Sequence, residues 1–305
     1  MMEHILFHLQ KVYNVRNRKI IGSENMPNIK IVTDSTLDIP KHILEENDIT
    51  VVPLSITIDG ESYVDGVDIG PDEFIRKMKQ SEELPKSSQP PAGQFLEVYN
   101  SLTADGSEVI SIHMTSKMSG TVQSAQTAAQ LAEGKVTVVD SKYISHALAF
   151  QVLEAAKMAK EGKNAEEIIE RADQIQKATR LFVVVDTLDN LVKGGRIGKG
   201  KAMLSSLLNI KPIASLDTGE YTPVAKVRSQ SQIVKYLVKQ LLQDTEGKEI
   251  KGIGITEADA IELAEKLKEA ILEATSLKDI PINATTPIIS THTGVGAIGF
   301  MYYAE

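Results

Sequence analysis

Hydroxyl and carboxyl side chains gather at the points where predicted strands end. The residues concerned are Thr33, Asp34, Ser35, Ser87, Ser88, Ser119, Thr121, Asp140 and Ser141. Ligands of an open α/β sheet bind outside the carboxyl ends of its strands, so these side chains could face one site. Alternatively, each serine or threonine could simply cap the helix that follows it. Their concentration at strand ends favours a shared site.

The segment Ser119-Gly120-Thr121 indicates what charge the ligand carries. Ser119 precedes an amphipathic pattern that predicts a helix, and the unpaired N–H groups at the start of a helix favour an anion. No excess of lysine or arginine accompanies the hydroxyl-rich loops. One carboxylate held by neutral donors therefore fits this site better than a highly charged polyphosphate.

The composition excludes several classes of protein. The 305 residues are 42% hydrophobic and 24% charged, which is sufficient for a substantial core. There is no cysteine, so thiol catalysis, disulfides and thiolate metal sites are excluded, and a reducing cytoplasm is compatible. The formal net charge of −8 argues against a nucleic-acid partner. No apolar run approaches the roughly 20 residues of a transmembrane helix, so we expect no integral membrane segment.

The first 25 residues differ from the rest of the chain because they are basic. Their charge follows a short apolar stretch, whereas a secretory signal places it before a longer one. We interpret residues 1–25 as an extension outside the fold. His4 and His8 are spaced to share a metal ion, but a third ligand is lacking nearby, so no metal site is expected.

Short β-branched runs alternate with helical patterns from Asn28 onward, which predicts an α/β fold with largely parallel sheets. A hairpin with its turn at Asp59 and Gly60 is expected within this pattern. Two consecutive helices interrupt the alternation before a strand at LFVVVD. The sequence therefore predicts an N-terminal α/β domain over residues 26–175, a C-terminal α/β domain over residues 176–305, and a cleft between the two lobes.

The run from Gly195 to Ala202 nearly matches a phosphate-binding loop of the G-x-x-x-x-G-K-[ST] type. Ala202 lacks the hydroxyl that would bind Mg²⁺, and the preceding LDNLVKG looks helical, with the helical pattern extending from Leu188 to about Leu208. We therefore expect no direct ATP binding. The basic GGRIGKGK segment is interpreted as a surface loop that gates the site, meets a partner, or has no special role.

Seven segments occur together in one order along the chain. They are TDSTLDIP, KSSQP, SGTVQSAQ, VVDSKYIS, LDNLVKGGRIGKGKAML, KVRS and THTGVGA. In this order and spacing the chain resembles the DegV family of fatty-acid-binding proteins over residues 28 to 305. The resemblance implies a ligand tunnel between two α/β lobes and one bound long-chain fatty acid. It further implies a cytoplasmic carrier without cofactor or catalysis of its own. This carrier would present the carboxylate to the catalytic subunit of a fatty acid kinase, which makes an acyl phosphate for phospholipid synthesis.

The resemblance also implies roles for particular residues. The hydroxyls that hold the carboxylate fall on Ser87, where family members commonly have threonine, and on Ser119. The family's histidine falls on His292 and its arginine on Arg228. Ser88, Gly120 and Thr121 complete the expected ligand-binding set, because they supply neighbouring N–H and hydroxyl groups. Val295 stands where many relatives carry proline, so the loop that holds His292 is expected to be less rigid.

An acyl chain would supply most of the affinity in such a site. At about 0.8 kcal/mol per buried methylene, burial of about 14 methylenes contributes roughly 11 kcal/mol of favourable free energy before the costs of association are subtracted. The apolar residues that could line the tunnel, or could equally be ordinary core, are Phe182, Met203, Leu204, Leu207, Ile210 and Phe300.

Two other functions remain open from the residues alone. The chain could be a lipid or ester hydrolase with Ser119 as nucleophile and His292 as base, although no G-x-S-x-G elbow is present. It could also be a sensor of a small anion or carbohydrate, in which case the purified protein would carry no lipid.

Overall fold

The computed structural model describes residues 28–206 and 210–305, with side chains up to Ala202 and again from Ile210. The extension expected over residues 1–25 lies outside this range. The strands are β1 Ile29–Asp34, β2 Ile49–Val52, β3 Ser55–Ile58, β4 Glu61–Val64, β5 Lys86–Ser88, β6 Glu108–His113, β7 Val136–Asp140, β8 Thr179–Val184, β9 Lys211–Ser215, β10 Thr222–Val227, β11 Ile250–Ala258, β12 Ile282–Ala284 and β13 Ala297–Ala304.

The helices mostly alternate with these strands. They are α1 Lys41–Glu46, α2 Pro71–Gln80, α3 Ala92–Thr103, α4 Thr121–Leu131, α5 Ser145–Lys160, α6 Ala165–Ala178, α7 Asp189–Lys193, a 3₁₀ helix Gly198–Ser206, α8 Gln230–Asp244, α9 Ile261–Ala274 and α10 Pro287–Thr293. Consecutive helices occur at α5 and α6 and at α7 with the 3₁₀ helix. None of the helices within the described ranges is both long and apolar enough to cross a membrane.

The first lobe is built on a four-stranded parallel sheet with strand order β2-β1-β6-β7. Its two central strands, β1 and β6, are almost completely buried, as expected for a parallel sheet covered on both faces. Helices α3 and α4 cover one face through Phe95, Tyr99 and Ala125. Because all four strands run the same way, the loops after β1, β6 and β7 meet at one edge.

A small antiparallel sheet, β4-β3-β5, is attached to the first lobe. The predicted hairpin turn is confirmed, since Asp59 (φ 48°) and Gly60 (φ 86°) both adopt the left-handed backbone of a two-residue hairpin loop. The KSSQP segment is not only a loop. Its first residues form β5, which pairs with β3 so that Ser87 lies opposite Ile56.

The second lobe is built on a six-stranded sheet with strand order β10-β9-β8-β13-β11-β12. Only the β11–β12 pair is parallel, whereas the other four neighbouring pairs are antiparallel. The expectation of largely parallel sheets is therefore confirmed for the first lobe and wrong for the second. A short connection such as the one between β9 and β10 can only reverse the chain, and the last strand, β13, enters the sheet between β8 and β11 in the opposite direction.

Helix α5 lies between the two sheets and packs against both. Its buried positions are mostly small, including Ala147, Ala149, Ala155 and Ala156, so the sheets approach closely on either side. Residues of α5 share one continuous apolar cluster with β1 and β6 of the first lobe and with β8 and β13 of the second. The outer face of the six-stranded sheet packs instead against α8 and α9.

The helical pattern expected from Leu188 to Leu208 is interrupted. Helix α7 ends at Lys193, and the chain continues as a 3₁₀ helix only from Gly198. Gly195 (φ 74°) and Gly198 (φ 51°) adopt left-handed backbone conformations that break an α-helix. Residue 176, where the sequence places the boundary between two domains, lies in the last turn of α6, just before β8. The division into two domains at this residue stays a prediction.

Candidate functional site

A cavity of about 320 Å³ lies between the lobes and takes its walls from both. The first lobe contributes Met114 and Met118 from the segment after β6, and the second contributes Val183 from β8 and Leu216 after β9. Further apolar side chains of the wall are those of Leu54, Ile144, Leu191, Ile288 and Ile289. The polar side chains at the wall include those of Ser87, Ser88, Gln89, Ser119, Arg196 and His292. The cavity is thus suited to an amphipathic ligand.

Ser87 and His292 are joined by a hydrogen bond of 2.7 Å between Oγ and Nε2. Strand β5 positions Ser87, and the last turn of α10 positions His292. The helix ends at Gly294, whose φ of 75° suits glycine at this position. The two residues are 205 positions apart in the chain, so only the packing of the hairpin against α10 brings them together.

His292 is neutral in this environment. Burial lowers the pKa of its imidazole to about 4, and the positive charge of Arg196 contributes to the decrease. Its Nδ1 is buried and has no hydrogen-bond partner. A proton on Nδ1 would be an unpaired buried donor, so the favourable tautomer carries the proton on Nε2 and donates it to Ser87 Oγ. The Ser87 hydroxyl then keeps its own hydrogen for the ligand.

Ser119, Gly120 and Thr121 form the start of α4. Ser119 Oγ lies 2.8 Å from Thr121 Oγ1 and accepts the Thr121 N–H at 3.3 Å. Gly120 is the N-cap residue, and a Cβ there would overlap the side-chain amide of Gln89. Gly120 therefore permits the close approach of the KSSQP segment, which places Ser87 and Ser88 beside Ser119 at the same cavity.

Arg196 is a site residue that the sequence interpretation did not single out. Its Nε donates to Met118 O at 2.9 Å and its Nη1 to Gly194 O at 2.6 Å, so two backbone carbonyls hold the half-buried guanidinium at the cavity. Burial lowers the pKa of Arg196, yet arginine stays charged at neutral pH. It forms no ion pair with a carboxylate of the described chain. Arg196 lies in the basic GGRIGKGK segment, which the sequence did indicate as a possible partner or gating loop. The spacing of its residues, however, did not distinguish Arg196 from the lysines near it.

Arg228 is not brought to this cavity. It is exposed after β10, where its backbone N–H donates to Gln232 Oε1 at 2.8 Å, and it does not contribute to the cavity wall. Ser87, Ser88, Ser119 and His292 do line the wall, and Gly120 and Thr121 are directly behind it. We call Ser87, Ser119, Arg196 and His292 the head-group cluster.

Phe182 and Phe300, for which tunnel lining and ordinary core packing were both open, belong to the core. Both side chains are on the outer face of the six-stranded sheet, where they pack with residues of α8 and α9 such as Ile233 and Leu267. Side chains alternate between the two faces of a strand, so Val183 reaches the cavity while its neighbour Phe182 does not. Ile210 does not contribute to the wall, and the side chains of Met203, Leu204 and Leu207 lie outside the described range.

The arrangement gives little support to a hydrolase. Ser119 bonds to Thr121 rather than to His292, and no carboxylate among the described residues hydrogen-bonds to Nδ1 of His292 to orient it. An imidazole whose pKa is held near 4 is also a weak base at neutral pH. A Ser111–His113–Asp34 array does exist, with distances of 2.6 Å and 3.1 Å, but all three residues are fully buried. It shares no wall with the cavity and ties β1 to β6.

Comparisons with known proteins agree with this geometry. A family model described as "Uncharacterised protein, DegV family" matches residues 28–305. A DegV domain-containing protein of Staphylococcus aureus, SA1258, is 45% identical over 271 residues, which is 89% of this chain and 97% of the relative. The Listeria monocytogenes protein lmo1863 is 44% identical over 281 residues, covering 92% of this chain and all of the relative.

Three solved structures of similar fold are described as binding fatty acids. A fatty-acid-binding DegV family protein from Thermus thermophilus superposes with a TM-score of 0.87 at 31% identity, covering 91% of this chain and 100% of that one. DegV from Bacillus subtilis, also a fatty acid binding protein, gives 0.85 at 31% identity and covers 92% of this chain and 100% of that one. A stearic acid-binding protein from Eubacterium ventriosum gives 0.82 at 27% identity and covers 90% and 98%.

Proposed function

The chain belongs to the DegV family, and from that premise we propose that it binds one long-chain fatty acid and presents its carboxylate to a fatty acid kinase. The observation that carries the proposal is the amphipathic cavity between the lobes, with the head-group cluster at its polar part and apolar side chains over the rest. The fatty-acid-binding relatives of the same fold support it.

The head-group cluster can compensate the cost of burying a carboxylate. Ser87 has a free hydroxyl hydrogen because His292 donates to its oxygen, and Ser119 is positioned beside it. Arg196 adds a positive charge that no described carboxylate neutralises. An ionised group is stable in such a place only when several hydrogen bonds or an opposite charge replace water, and this cluster offers both.

The acyl chain fits the remainder of the wall, which is lined by methionine, leucine, isoleucine and valine. The flexible side chains of Met114 and Met118 can adapt to chains of different shape. A second, very small cavity of about 20 Å³ continues the same space, because Ile144, Val183, Ile289 and Thr293 line both. The apolar wall also disfavours the alternative of a small-anion sensor, which would have no use for it.

Phosphorylation requires that the carboxylate be reachable from outside. Ser88 and Gln89, which flank Ser87 at the cavity wall, are exposed. In the proposed reaction a carboxylate oxygen attacks the γ-phosphorus of ATP, the bond to the β-phosphate oxygen breaks, and the products are acyl phosphate and ADP. The kinase supplies ATP, since the Gly195–Ala202 run of this chain lacks the magnesium-binding hydroxyl and follows a helix. The carrier's own residues would hold the substrate and exclude water from the acyl chain.

Mass spectrometry of the purified protein tests the first half of the proposal. We expect one long-chain fatty acid per chain under native conditions and its release on denaturation. The double variant Ser87→Ala/Ser119→Ala should lose it, because hydrogen bonds to a charged group contribute about 1.5–3 kcal/mol each. Ser101→Ala, an exposed serine on α3, is the matched control and should retain the lipid. An empty wild-type protein that also takes up no added fatty acid would refute the carrier role.

The second half is tested with the loaded protein, a fatty acid kinase catalytic subunit and ATP. Formation of acyl phosphate is measured by trapping with hydroxylamine. Loaded protein that yields no acyl phosphate with a kinase active on another carrier would overturn the kinase role and leave fatty-acid binding intact.

A further inference from the structure

A second cavity, of about 560 Å³, opens on the first lobe beside the start of α10. It shares no lining residue with the cavity between the lobes. Asp38, Asp65 and Thr286 line it together with apolar side chains, and we call it the acid groove. Its volume is within the range of pockets that bind small molecules.

Two buried polar atoms in the lining of the acid groove have no partner. Asp65 is 2% exposed, and its Oδ2 accepts the Ser35 hydroxyl at 2.6 Å while its Oδ1 accepts nothing. The Thr286 hydroxyl is also buried without a hydrogen bond. Leaving such atoms unpaired costs about 1–3 kcal/mol each, so native proteins rarely do so without a reason.

Buried polar atoms without a hydrogen-bond partner also occur at the cavity between the lobes. Six buried side-chain atoms of the described residues lack a partner, and two of them, on His292 and Tyr221, belong to residues lining the cavity between the lobes. Two more belong to the acid groove. Unsatisfied polar atoms therefore concentrate at the two cavities, which points to a ligand in the acid groove as well.

The unpaired atoms specify the chemistry of that ligand. Asp38 already accepts the Thr285 hydroxyl at 2.8 Å and the Thr286 N–H at 2.7 Å, so the free acceptors are Asp65 Oδ1 and Thr286 Oγ1. The cation in the lining, Lys41, is 84% exposed and pairs with Glu45. A group that donates hydrogen bonds and carries a positive charge fits this environment.

The walls of the acid groove fit an apolar body attached to that group. Leu37, Ile39, Leu44, Val51, Pro53 and Pro287 contribute to them. A metal ion fits less well, because no group of three or more histidine, aspartate or glutamate side chains is placed to hold one within the described ranges. We propose that the acid groove is a second ligand site, which takes a compact primary amine with its ammonium group on Asp65 and Thr286.

The electrostatics of Asp65 agree with a cationic ligand. Burial raises the pKa of its carboxyl to about 7. Hydrogen bonding from the Ser35 hydroxyl and the Ile288 N–H opposes the rise, whereas the charges of Asp38 and Asp34 increase it further. A cation beside Asp65 would supply the charge that this environment lacks. The ligand would then stabilise the ionised carboxylate, which is otherwise unfavourable in the groove.

Calorimetric titration of the full-length protein, saturated with fatty acid, tests the proposal with hexylammonium as the probe. We expect one saturable site, and binding at least 10-fold weaker in Asp65→Asn, which removes the charge but keeps an oxygen for Ser35. Asp68→Asn, an exposed aspartate in the same loop, is the matched control and should bind as the wild type does. Hexanol and hexanoate should bind much more weakly than hexylammonium.

Absence of saturable hexylammonium binding, or equal binding to the wild type and Asp65→Asn, would overturn the proposal. Equal affinity for hexanol would do so too, since it would show an apolar groove without charge recognition. Thr286→Val gives an independent readout if Asp65→Asn does not fold, and it should weaken binding several-fold. The Ser87→Ala/Ser119→Ala variant, which should lose its fatty acid, should bind hexylammonium as the wild type does. The two proposed sites can therefore be tested independently of each other.

Discussion

At the residue scale, the site depends on the state of His292. Its imidazole is buried, sits near Arg196 and has one nitrogen without a partner, so it is neutral and acts as a donor to Ser87. In this arrangement His292 is suited to position Ser87 rather than to act as a catalytic base. In the proposed complex it would orient the Ser87 hydroxyl, and Ser87 would bind the carboxylate.

Replacement of His292 tests this role directly. His292→Ala should weaken fatty-acid binding by about 1–2 kcal/mol, roughly 5- to 30-fold, because the hydrogen bond that orients Ser87 is lost. His292→Gln carries an amide N–H that can reach the same oxygen, so it should recover part of the affinity. Titration with a fluorescent fatty acid measures both. Equal loss in the two variants would contradict a donor role for His292.

The lowered pKa of His292 also predicts a pH dependence of stability. Between the unfolded value of about 6.5 and the folded value of about 4, the unfolded chain binds more protons than the folded one. The contribution of His292 to stability is therefore full above about pH 6.5 and is lost as the pH falls towards 4. The free energy of unfolding of the wild type relative to His292→Gln should fall by about 1–2 kcal/mol from pH 7 to pH 5. Denaturant titrations at the two pH values measure it, and a constant difference would refute the assigned environment.

At the scale of elements, four short segments assemble the head-group cluster. Strand β5 holds Ser87 and α10 holds His292. The turn after α7 holds Arg196, and the loop that leads into α4 holds Ser119. Helix α7 and α10 meet at Gly194, where a Cβ would overlap Nδ1 of His292. The absence of a side chain at Gly194 is thus a condition for the position of His292.

Substitution of Gly194 should therefore damage the site without removing any polar group. Gly194→Ala forces His292 or α7 to shift, at a cost of about 1–3 kcal/mol, and we expect a comparable loss of fatty-acid affinity. Gly93 in helix α3 is the matched control, because a Cβ there meets no atom within 4 Å. Gly93→Ala should leave binding unchanged and raise stability by about 0.5–1 kcal/mol. Thermal unfolding and fatty-acid titration of both variants distinguish the cases, and normal binding by Gly194→Ala would contradict the packing argument.

At the scale of the whole molecule, the two lobes share a core and several polar contacts. Thr115 donates to Gly219 O at 2.9 Å, Arg196 reaches Met118 O, and Asp38 accepts from Thr285 and Thr286. Helix α5 packs against both sheets. The ligand cavity lies at this junction, so the lobes are part of one binding unit rather than two separate modules.

A bound fatty acid should consequently stabilise both lobes. A ligand that binds only the folded state stabilises it by about 2.7 kcal/mol at 100 times its Kd. We expect slower amide hydrogen exchange in the presence of a long-chain fatty acid both around Met114–Ser119 and in β8–β9. The Ser87→Ala/Ser119→Ala variant should show neither effect at the same concentration. Protection confined to one lobe would contradict a shared cavity.

The sequence by itself determined the α/β alternation, the hairpin turn at Asp59 and Gly60, and most of the head-group cluster. These features are local: a left-handed turn, a helix start or a buried strand is written in consecutive residues. Ser87 and Ser119 could be singled out for the same reason, whereas His292 was expected only from the resemblance to the DegV family. The contact of Ser87 with His292 across 205 positions could not be derived from spacing.

Only the tertiary structure decided the rest. The antiparallel order of the second sheet depends on where β13 inserts. The face of β8 that lines the cavity is determined by α8 and α9, which cover the opposite face of the sheet. Arg196 replaced Arg228 at the cavity because two backbone carbonyls from separate loops hold its guanidinium there. The acid groove follows from the same kind of contact, since Asp65 and Thr286 meet only in the folded chain. Such features arise from packing between distant segments, and no local pattern encodes them.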